Sequence, residues 1–363
     1  MRVLCVNAGS SSLKLTVLGD TDEVVFASDL DADRGVFSEH ELGRAVGSFG
    51  ASYDAIGHRI VHGGAEFTGP VVLTDGVEAS LRRLSALAPL HQAASLAAVD
   101  AVRRVAADVP AVACFDTAFH ATLPPEASTY AVPAAWRARL GVRRFGFHGL
   151  SNAYVSRRAP EILQRPREAL RLVSCHLGSG ASVTAILGGR SVDTTMGFTP
   201  LEGLVMATRS GSVDPGLVLW LARQPGLGLD EVSTALESES GLVALAGTPD
   251  MAEVVQRGDR GDAHADLALS VYTHRVCASV AAMAAAMDGV DALVFTGGVG
   301  EHAPQVRARA VSGLGFLGFR LDEERNRSLE GDADVAAAGS NPVLVVRARE
   351  DLEIAAEVRR VVS

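Results

Sequence analysis

The chain has 363 residues, 48% of them hydrophobic and 21% charged, with a mean hydropathy of +0.20. That length suggests two or three domains, and 37 Gly with 14 Pro exclude collagen-like and disordered chains. A balance of 33 basic against 43 acidic residues gives a net charge of −10, which excludes a free-standing nucleic-acid or anionic-membrane binder.

Lys14 is the one lysine in a chain whose other basic residues are all Arg. Cys5, Cys114, Cys175 and Cys277 are far apart and form no CxxC, so neither a zinc ribbon nor a thioredoxin motif is present. Free thiols without a disulfide framework favour a reducing cytosol. The apolar run 1–6 meets Asn7-Ala8-Gly9-Ser10 before a signal-peptide core develops. The uncharged stretches 172–189 and 276–287 are too glycine-rich or too short to span a bilayer. A soluble, cytoplasmic chain with no membrane and no nucleic-acid partner is expected.

In chain order, residues 2–6 and 13–18 flank the small-residue turn 7–12 and read as a β-hairpin. Strands are expected at 55–61 and 111–115, and helices at 78–86 and 93–107. A second hairpin, 172–175 with 181–187, encloses His176–Gly180. It lies about 169 residues after the first, which suggests a duplicated domain. Helices follow at 214–223 and 264–287. The strand 292–296 then ends in a glycine turn at 297–301, with a helix at 303–312. A strand at 343–347 and a helix at 350–360 complete the pattern. Strands alternating with helices indicate an α/β protein, and no Pro/Ser-rich linker separates the halves.

Several nucleotide motifs are excluded. A Walker A loop needs Gly-Lys-Ser/Thr, and the sole Lys follows Leu13. Gly313-Leu-Gly-Phe-Leu-Gly318 matches G-x-G-x-x-G but follows a helix rather than a strand, the wrong context for a dinucleotide site. The kinase H-R-D loop and the zincin H-E-x-x-H are absent. Three glycine turns remain, at 7–12, 176–180 and 297–301, and turns of this kind present backbone N–H groups to phosphate oxygens. With Lys14 as a point charge beside the first, they suit a polyphosphate clamp.

Five further segments place charged groups at strand ends and loop junctions. They are His58-Arg-Ile-Val-His-Gly-Gly64, Cys114-Phe-Asp-Thr-Ala-Phe-His120, Arg144-Phe-Gly-Phe-His-Gly149, Thr208-Arg-Ser-Gly-Ser-Val-Asp-Pro-Gly216 and Arg349-Glu-Asp351. Taken singly, each also reads as a strand-end ion pair, a capping Asp or a satisfied His.

Together these strings, with Val6-Asn-Ala-Gly-Ser-Ser-Ser-Leu-Lys14 and Glu350-Asp-Leu-Glu-Ile-Ala355, closely resemble the acetate kinases of the acetate and sugar kinase/Hsp70/actin superfamily. The resemblance covers essentially the whole chain in order. It implies two actin-like, ribonuclease H-like domains from a duplicated core, with an active site in the cleft between them and hinge closure on nucleotide. The expected boundaries are 1–147 plus 349–363 for the first domain and 148–348 for the second. It also implies a homodimer formed through the second domain.

Position by position, the resemblance assigns Asn7 and Glu350 to Mg2+, with Mn2+ as a substitute, and Lys14 to the nucleotide. Arg59 matches the carboxylate-binding Arg, Asp116 the catalytic Asp, and His148 and Arg209 the groups around the transferring phosphoryl. Three stretches match nucleotide-binding segments: His176, Leu177, Gly178, Ser179 and Gly180; Asp250, Met251 and Ala252; and Gly297, Gly298, Val299, Gly300 and Glu301. Val61, Leu90, Phe147 and Pro200 match the acyl pocket, and His91 a further His near it. The implied partners are acetate, acetyl phosphate, ATP and ADP.

The departures from the family pattern are Ser179 for an expected Asn, Ala252 for an Arg, Ser212 for an acid and Asn152 for a His. A propionate or other short-chain acyl kinase is the nearest alternative, because one methylene changes specificity by only about 1–3 kcal/mol. A non-enzymatic actin-like switch is the alternative of another class, although it would not need Arg59, His148 and Arg209. A sugar kinase would need a base for a hydroxyl, whereas a carboxylate is already ionised at neutral pH.

Overall fold

A computed structural model describes residues 1–9, 12–32, 37–49, 53–87 and 89–362, without the side chains of 86, 87 and 89–91. Ser10 and Ser11 of the first glycine turn therefore lie outside the described residues. The chain opens with β1 (Val3–Ala8), β2 (Ser12–Leu18), β3 (Val24–Asp31), α1 (Glu39–Ser48), β4 (Ala55–Ile60) and β5 (Val71–Val72). Next come α2 (Asp75–Arg83), α3 (Pro89–Val105), β6 (Ala111–Phe115), α4 (Pro125–Ser128), α5 (Ala134–Leu140) and α6 (Gly149–Leu163). The middle holds β7 (Arg171–Leu177), β8 (Ala181–Leu187), β9 (Arg190–Thr194), α7 (Pro215–Leu221), α8 (Leu229–Ser238) and α9 (Gly241–Ala246). After α10 (Met251–Asp259) and α11 (Ala263–Ala286) come β10 (Ala292–Thr296), α12 (Gly297–His302), α13 (Pro304–Ser312) and α14 (Glu323–Arg327). The chain closes with β11 (Ala333–Asp334), β12 (Val343–Val345) and α15 (Glu350–Val362).

Two compact units result. One comprises Met1–Ala121, Phe147–Tyr154 and Arg349–Ser363, the other Thr122–Gly146 and Val155–Ala348. The first holds a sheet of order β3-β2-β1-β4-β6-β5. In it β1, β4 and β6 run parallel, while the β1–β2, β2–β3 and β5–β6 pairs are antiparallel. The second holds β9-β8-β7-β10-β12-β11, which repeats that arrangement strand for strand. The two hairpins of the sequence are thus the openings of two copies of one topology.

The period-2 alternation of β1 and β2 sends Leu4, Val6, Leu13, Leu15 and Val17 to one face of the first sheet, where Leu42, Val46 and Val102 of α1 and α3 cover them. Val3, Cys5 and Cys114 on the other face pack under Ile354, Ala355 and Val358 of α15. Each such side chain, fully buried, contributes about 1.5–3 kcal/mol of transfer free energy. The close approach of α15 requires Gly57 in β4, where a Cβ would fall 2.3 Å from Ile354 Cγ2.

In the second unit α11 is long and apolar enough to match a membrane span by length and composition alone. It buries Leu269, Tyr272, Val276, Val280 and Met283, and the uncharged stretch 276–287 is its C-terminal half. The structure corrects one local expectation. Residues 297–301, read as a glycine turn, form the helix α12 immediately after β10. Gly315–Leu317 is a 3-10 turn after α13, a setting without the preceding strand that a dinucleotide loop requires.

Candidate active site

In the first unit the parallel strands β1, β4 and β6 bring Asn7, Arg59 and Asp116 together at their carboxyl ends, where ligands of parallel sheets bind. Arg59 donates from Nε and Nη2 to Asp116 Oδ2 at 3.0 and 2.6 Å. Its Nη1 donates to Asn7 Oδ1 at 3.1 Å and, at 3.5 Å, to the Ala8 carbonyl. Asn7 Nδ2 in turn donates to Oε2 of Glu350, the first residue of α15, at 2.6 Å. Burial disfavours the Arg59 cation, but the charges of Asp116 and Glu350 and the Asp116 hydrogen bonds raise its pKa on balance. Burial is also the larger influence on Asp116 and raises its pKa, with Arg59 opposing. Asp116 Oδ1 is buried without a hydrogen-bond partner.

Backbone geometry fixes the neighbouring residues. Gly149 N donates to the Asp116 carbonyl at 2.8 Å, and a Cβ on Gly149 would lie 2.1 Å from that oxygen. Just before it, His148 takes the left-handed conformation (φ 58°), a strained state for a non-glycine residue. Its carbonyl accepts from both the backbone N and the Nδ2 of Asn152, at 3.0 and 2.9 Å. Val61 and Phe147 are buried, and the His62 ring meets Phe147 edge-on with centroids 5.4 Å apart. Gln92 in α3 clamps the His62 peptide, accepting from its N at 3.0 Å and donating to its O at 3.1 Å. The side chains of Leu90 and His91 lie outside the described residues. Lys14 is exposed on β2, directly across the ladder from Asn7 and from Asp29.

In the second unit β7 and β10 end side by side, so that His176–Gly180 and Gly297–Glu301 adjoin. Gly297 (φ 79°) packs so closely that a Cβ would sit 2.8 Å from the Leu177 carbonyl. The Ser179 carbonyl accepts from Ala207 N at 3.1 Å, which ties this turn to the segment 206–209. Arg209 donates from Nη1 to the Pro200 carbonyl at 2.7 Å. Burial lowers its pKa to about 10, against the raising charge of Glu237. Asp250 caps α10 by accepting from Ala252 N at 2.9 Å, and Ala252 is exposed in that first turn. Among the described residues no hydrogen bond joins Asp250–Ala252 to the other two stretches.

The donors suit Mg2+ in the way that ion is held beside phosphates. Asn7 Oδ1, Glu350 and the unpartnered Asp116 Oδ1 are all hard oxygens, and no group of three or more metal-ligating His, Cys, Asp or Glu occurs among the described residues. Mg2+ typically keeps several waters and takes one or two carboxylates plus substrate phosphates, rather than an all-protein cage.

Sequence reasoning missed three supporting elements. One is Gln92. The second is Arg307 in α13, 1% exposed, which donates to the carbonyls of Gly300 and Glu301 at 2.8 Å and to Asn326 Oδ1 and O at 2.7 and 2.6 Å. Its helical phase with the buried Val306, Ala310 and Val311 was the available signal. The third is the pairing of Arg144, itself in a segment the sequence singled out, with Glu202 and Tyr130.

The model of the acetokinase family matches residues 36–356. The acetate kinase of Deinococcus deserti is 44% identical over 393 residues, spanning 100% of this chain and 98% of the relative. That of Deinococcus radiodurans is 46% identical over 392 residues, with the same coverage. Among solved structures, a propionate kinase from Francisella tularensis superposes with a TM-score of 0.91 at 32% identity, covering 99% of each chain. The acetate kinase of Porphyromonas gingivalis superposes with a TM-score of 0.88 at 34% identity, covering 100% of each chain.

Proposed function

We propose one reaction for this chain, which belongs to the acetokinase family: reversible transfer of the ATP γ-phosphoryl group to acetate, giving acetyl phosphate and ADP. The observation that carries this reading is the Asn7–Arg59–Asp116–Glu350 network at the ends of β1, β4 and β6.

Acetate is ionised at neutral pH, so the nucleophile needs no strong base, and rate enhancement comes from positioning and charge neutralisation. Arg59 orients the carboxylate. Two of its nitrogens are already held by Asp116 and a third by Asn7, so its plane is fixed before substrate arrives. Asp116 acts chiefly by orienting Arg59. His148 and Arg209 meet charge on the equatorial phosphoryl oxygens. The stretches 176–180, 250–252 and 297–301 take the nucleotide, with Lys14 attracting its phosphates. Asn7 and Glu350 would hold Mg2+, or Mn2+ in its place, and the ion would neutralise phosphate charge.

A hydroxamate assay of purified protein with Mg2+, ATP and acetate, propionate or butyrate tests this. Acetate is expected to give the highest kcat/KM, with propionate within about 1–3 kcal/mol of transition-state binding. No hydroxamate from any acid refutes the reaction. A propionate preference replaces the substrate and keeps the reaction, since a propionate kinase and an acetate kinase both superpose on this fold.

The homodimer reading is supported by α7, none of whose residues is buried and which exposes Leu217, Leu219 and Trp220. Exposed apolar surface of this kind marks association faces. Trp220→Asp is expected to yield a monomer by analytical ultracentrifugation; a dimer of wild-type stability refutes that face. Four free cysteines among the described residues support a reducing, cytoplasmic location.

A further inference from the structure

The loop 195–203 that follows β9 carries Pro200; none of its residues is exposed, yet a segment of this length without strand or helix needs other bonds to hold it. Here a single guanidinium staples both of its ends. Arg144 Nη1 lies within hydrogen-bond reach of the carbonyls of Thr194, Thr195 and Met196, at 3.1, 3.1 and 3.0 Å. Its Nη2 donates to Glu202 Oε1 at 2.7 Å. The other carboxylate oxygen of Glu202 accepts from the Tyr130 hydroxyl, and that hydroxyl accepts from Phe198 N, in the middle of the loop, at 2.9 Å. The Arg144 guanidinium also sits 5.5 Å from the centroid of the Tyr130 ring. Gly197 leaves the Tyr130–Glu202 bond its space, because a Cβ there would fall 1.7 Å from Glu202 Oε2 and 2.1 Å from Tyr130 Oη.

The far end of this arrangement is Arg209. Among the described residues the Pro200 carbonyl is the hydrogen-bond acceptor of its side chain, and Arg209 makes no ion pair. A partly buried guanidinium held through one carbonyl points where that carbonyl is placed.

We infer that Tyr130, Glu202 and Arg144 form a clamp that positions Arg209 and Pro200, and so sets both turnover and discrimination between acetate and longer acyl groups. This rests on the acyl-phosphate reaction proposed above. The three are positioning residues, since none is assigned to substrate. A displaced loop moves Pro200 and the Arg209 guanidinium together, while the backbone bond from Ala207 N to the Ser179 carbonyl, which does not involve that guanidinium, still holds the turn 176–180.

The test uses the full-length protein and Tyr130→Phe, which removes one oxygen and keeps the ring. Glu202→Gln, which keeps the shape and an acceptor but not the charge, is the second variant. Hydrogen exchange over 195–203 is measured beside kcat, the KM for ATP, and the propionate-to-acetate ratio of kcat/KM. Tyr130→Phe is expected to speed exchange there, lower kcat with acetate about 10-fold, shift the acyl ratio at least about 3-fold and leave the KM for ATP within about 2-fold. Glu202→Gln is expected to fall between it and the wild type. Wild-type kcat and acyl ratio in Tyr130→Phe overturn the proposal, whether or not exchange speeds up. If the wild type phosphorylates no short-chain acid, the reaction itself is refuted. In that case unchanged exchange in Tyr130→Phe refutes the clamp separately, and faster exchange retains it as a loop-ordering device.

Discussion

Glu357 lies on the face of α15 turned toward the first sheet, and its Oε2 is buried without a partner. Burial is the main influence on its carboxyl and pushes the pKa up to about 7. Glu353 and Asp116 add to this, while a Cys114 hydrogen bond and Arg360 oppose it. The unfolded chain has the ordinary glutamate value of 4.5. The difference means that full ionisation costs the fold up to about 3 kcal/mol, less whatever water reaches the partly exposed side chain.

The sign follows from which state binds the proton more tightly. Below pH 4.5 both states are protonated and nothing is lost. Between 4.5 and about 7 the unfolded chain releases the proton first, so stability falls as pH rises, and above about 7 the loss is complete. Glu357→Gln mimics the protonated side chain at every pH. Urea unfolding followed by circular dichroism at about pH 5, 7 and 8.5 should show the variant gaining on the wild type as pH rises, by about 1–3 kcal/mol at the top of the range. Groups that do not interact with Glu357 are common to both proteins and cancel in the comparison, whereas the repulsion between Glu357 and Asp116 is removed by the substitution and adds to the same trend. A gap that does not change with pH, or a variant less stable throughout, refutes the reasoning.

Arg59→Ala and Arg209→Ala should each lower kcat/KM for acetyl phosphate formation at least about 100-fold, near 3 kcal/mol, and near-normal kinetics in both would remove them from the site. Arg307→Met leaves the carbonyls of Gly300, Glu301 and Asn326 without their buried donor. It should cost at least about 3 kcal/mol in urea unfolding and raise the KM for ATP, whereas an unchanged urea midpoint would show that the carbonyls find other partners. Ala252→Arg should sharpen the preference for ATP over GTP and inosine triphosphate by about 1–2 kcal/mol in kcat/KM, and an unaltered ratio would show that position 252 does not read the nucleoside.

What was legible in the sequence was whatever depends on local period and turn chemistry. The two hairpins, the strand before Gly297 and the helices over 93–107, 264–287 and 350–360 follow from alternation or from apolar residues at three- and four-residue steps. Helix α6 escaped that test because its buried face is partly polar. Ser151, Asn152 and Ser156 are buried beside Leu150, Val155 and Ala159, and Pro160 lies inside the helix. Strand β3 escaped because it is a largely exposed edge. In the candidate site, residue types at strand ends were readable, but their pairing was not. Asn7 meets Glu350 across nearly the whole length of the chain, and only the parallel order of β1, β4 and β6 brings Asn7, Arg59 and Asp116 together.

At three of the four departures from the family pattern the residue present takes part in a local hydrogen bond that holds the backbone. Ser179 contributes its carbonyl to Ala207 N, a bond indifferent to the side chain. Ser212 in place of an acid still offers an oxygen, and Gly203 N donates to it at 3.0 Å. Asn152 in place of a His uses its amide to hold the His148 carbonyl, adding a second donor to the backbone N already there. Both bonds hold the carbonyl of His148, the residue whose backbone is left-handed (φ 58°). Ala252 differs because a methyl offers no donor to replace the guanidinium. It also removes a positive charge from the first turn of α10, where the helix dipole disfavours cations by about 0.3–1 kcal/mol. On the nucleotide assignment proposed above, one exchange would both remove a ligand contact and relieve a helix-terminus repulsion, so Ala252→Arg is expected to sharpen nucleoside discrimination while slightly destabilising α10.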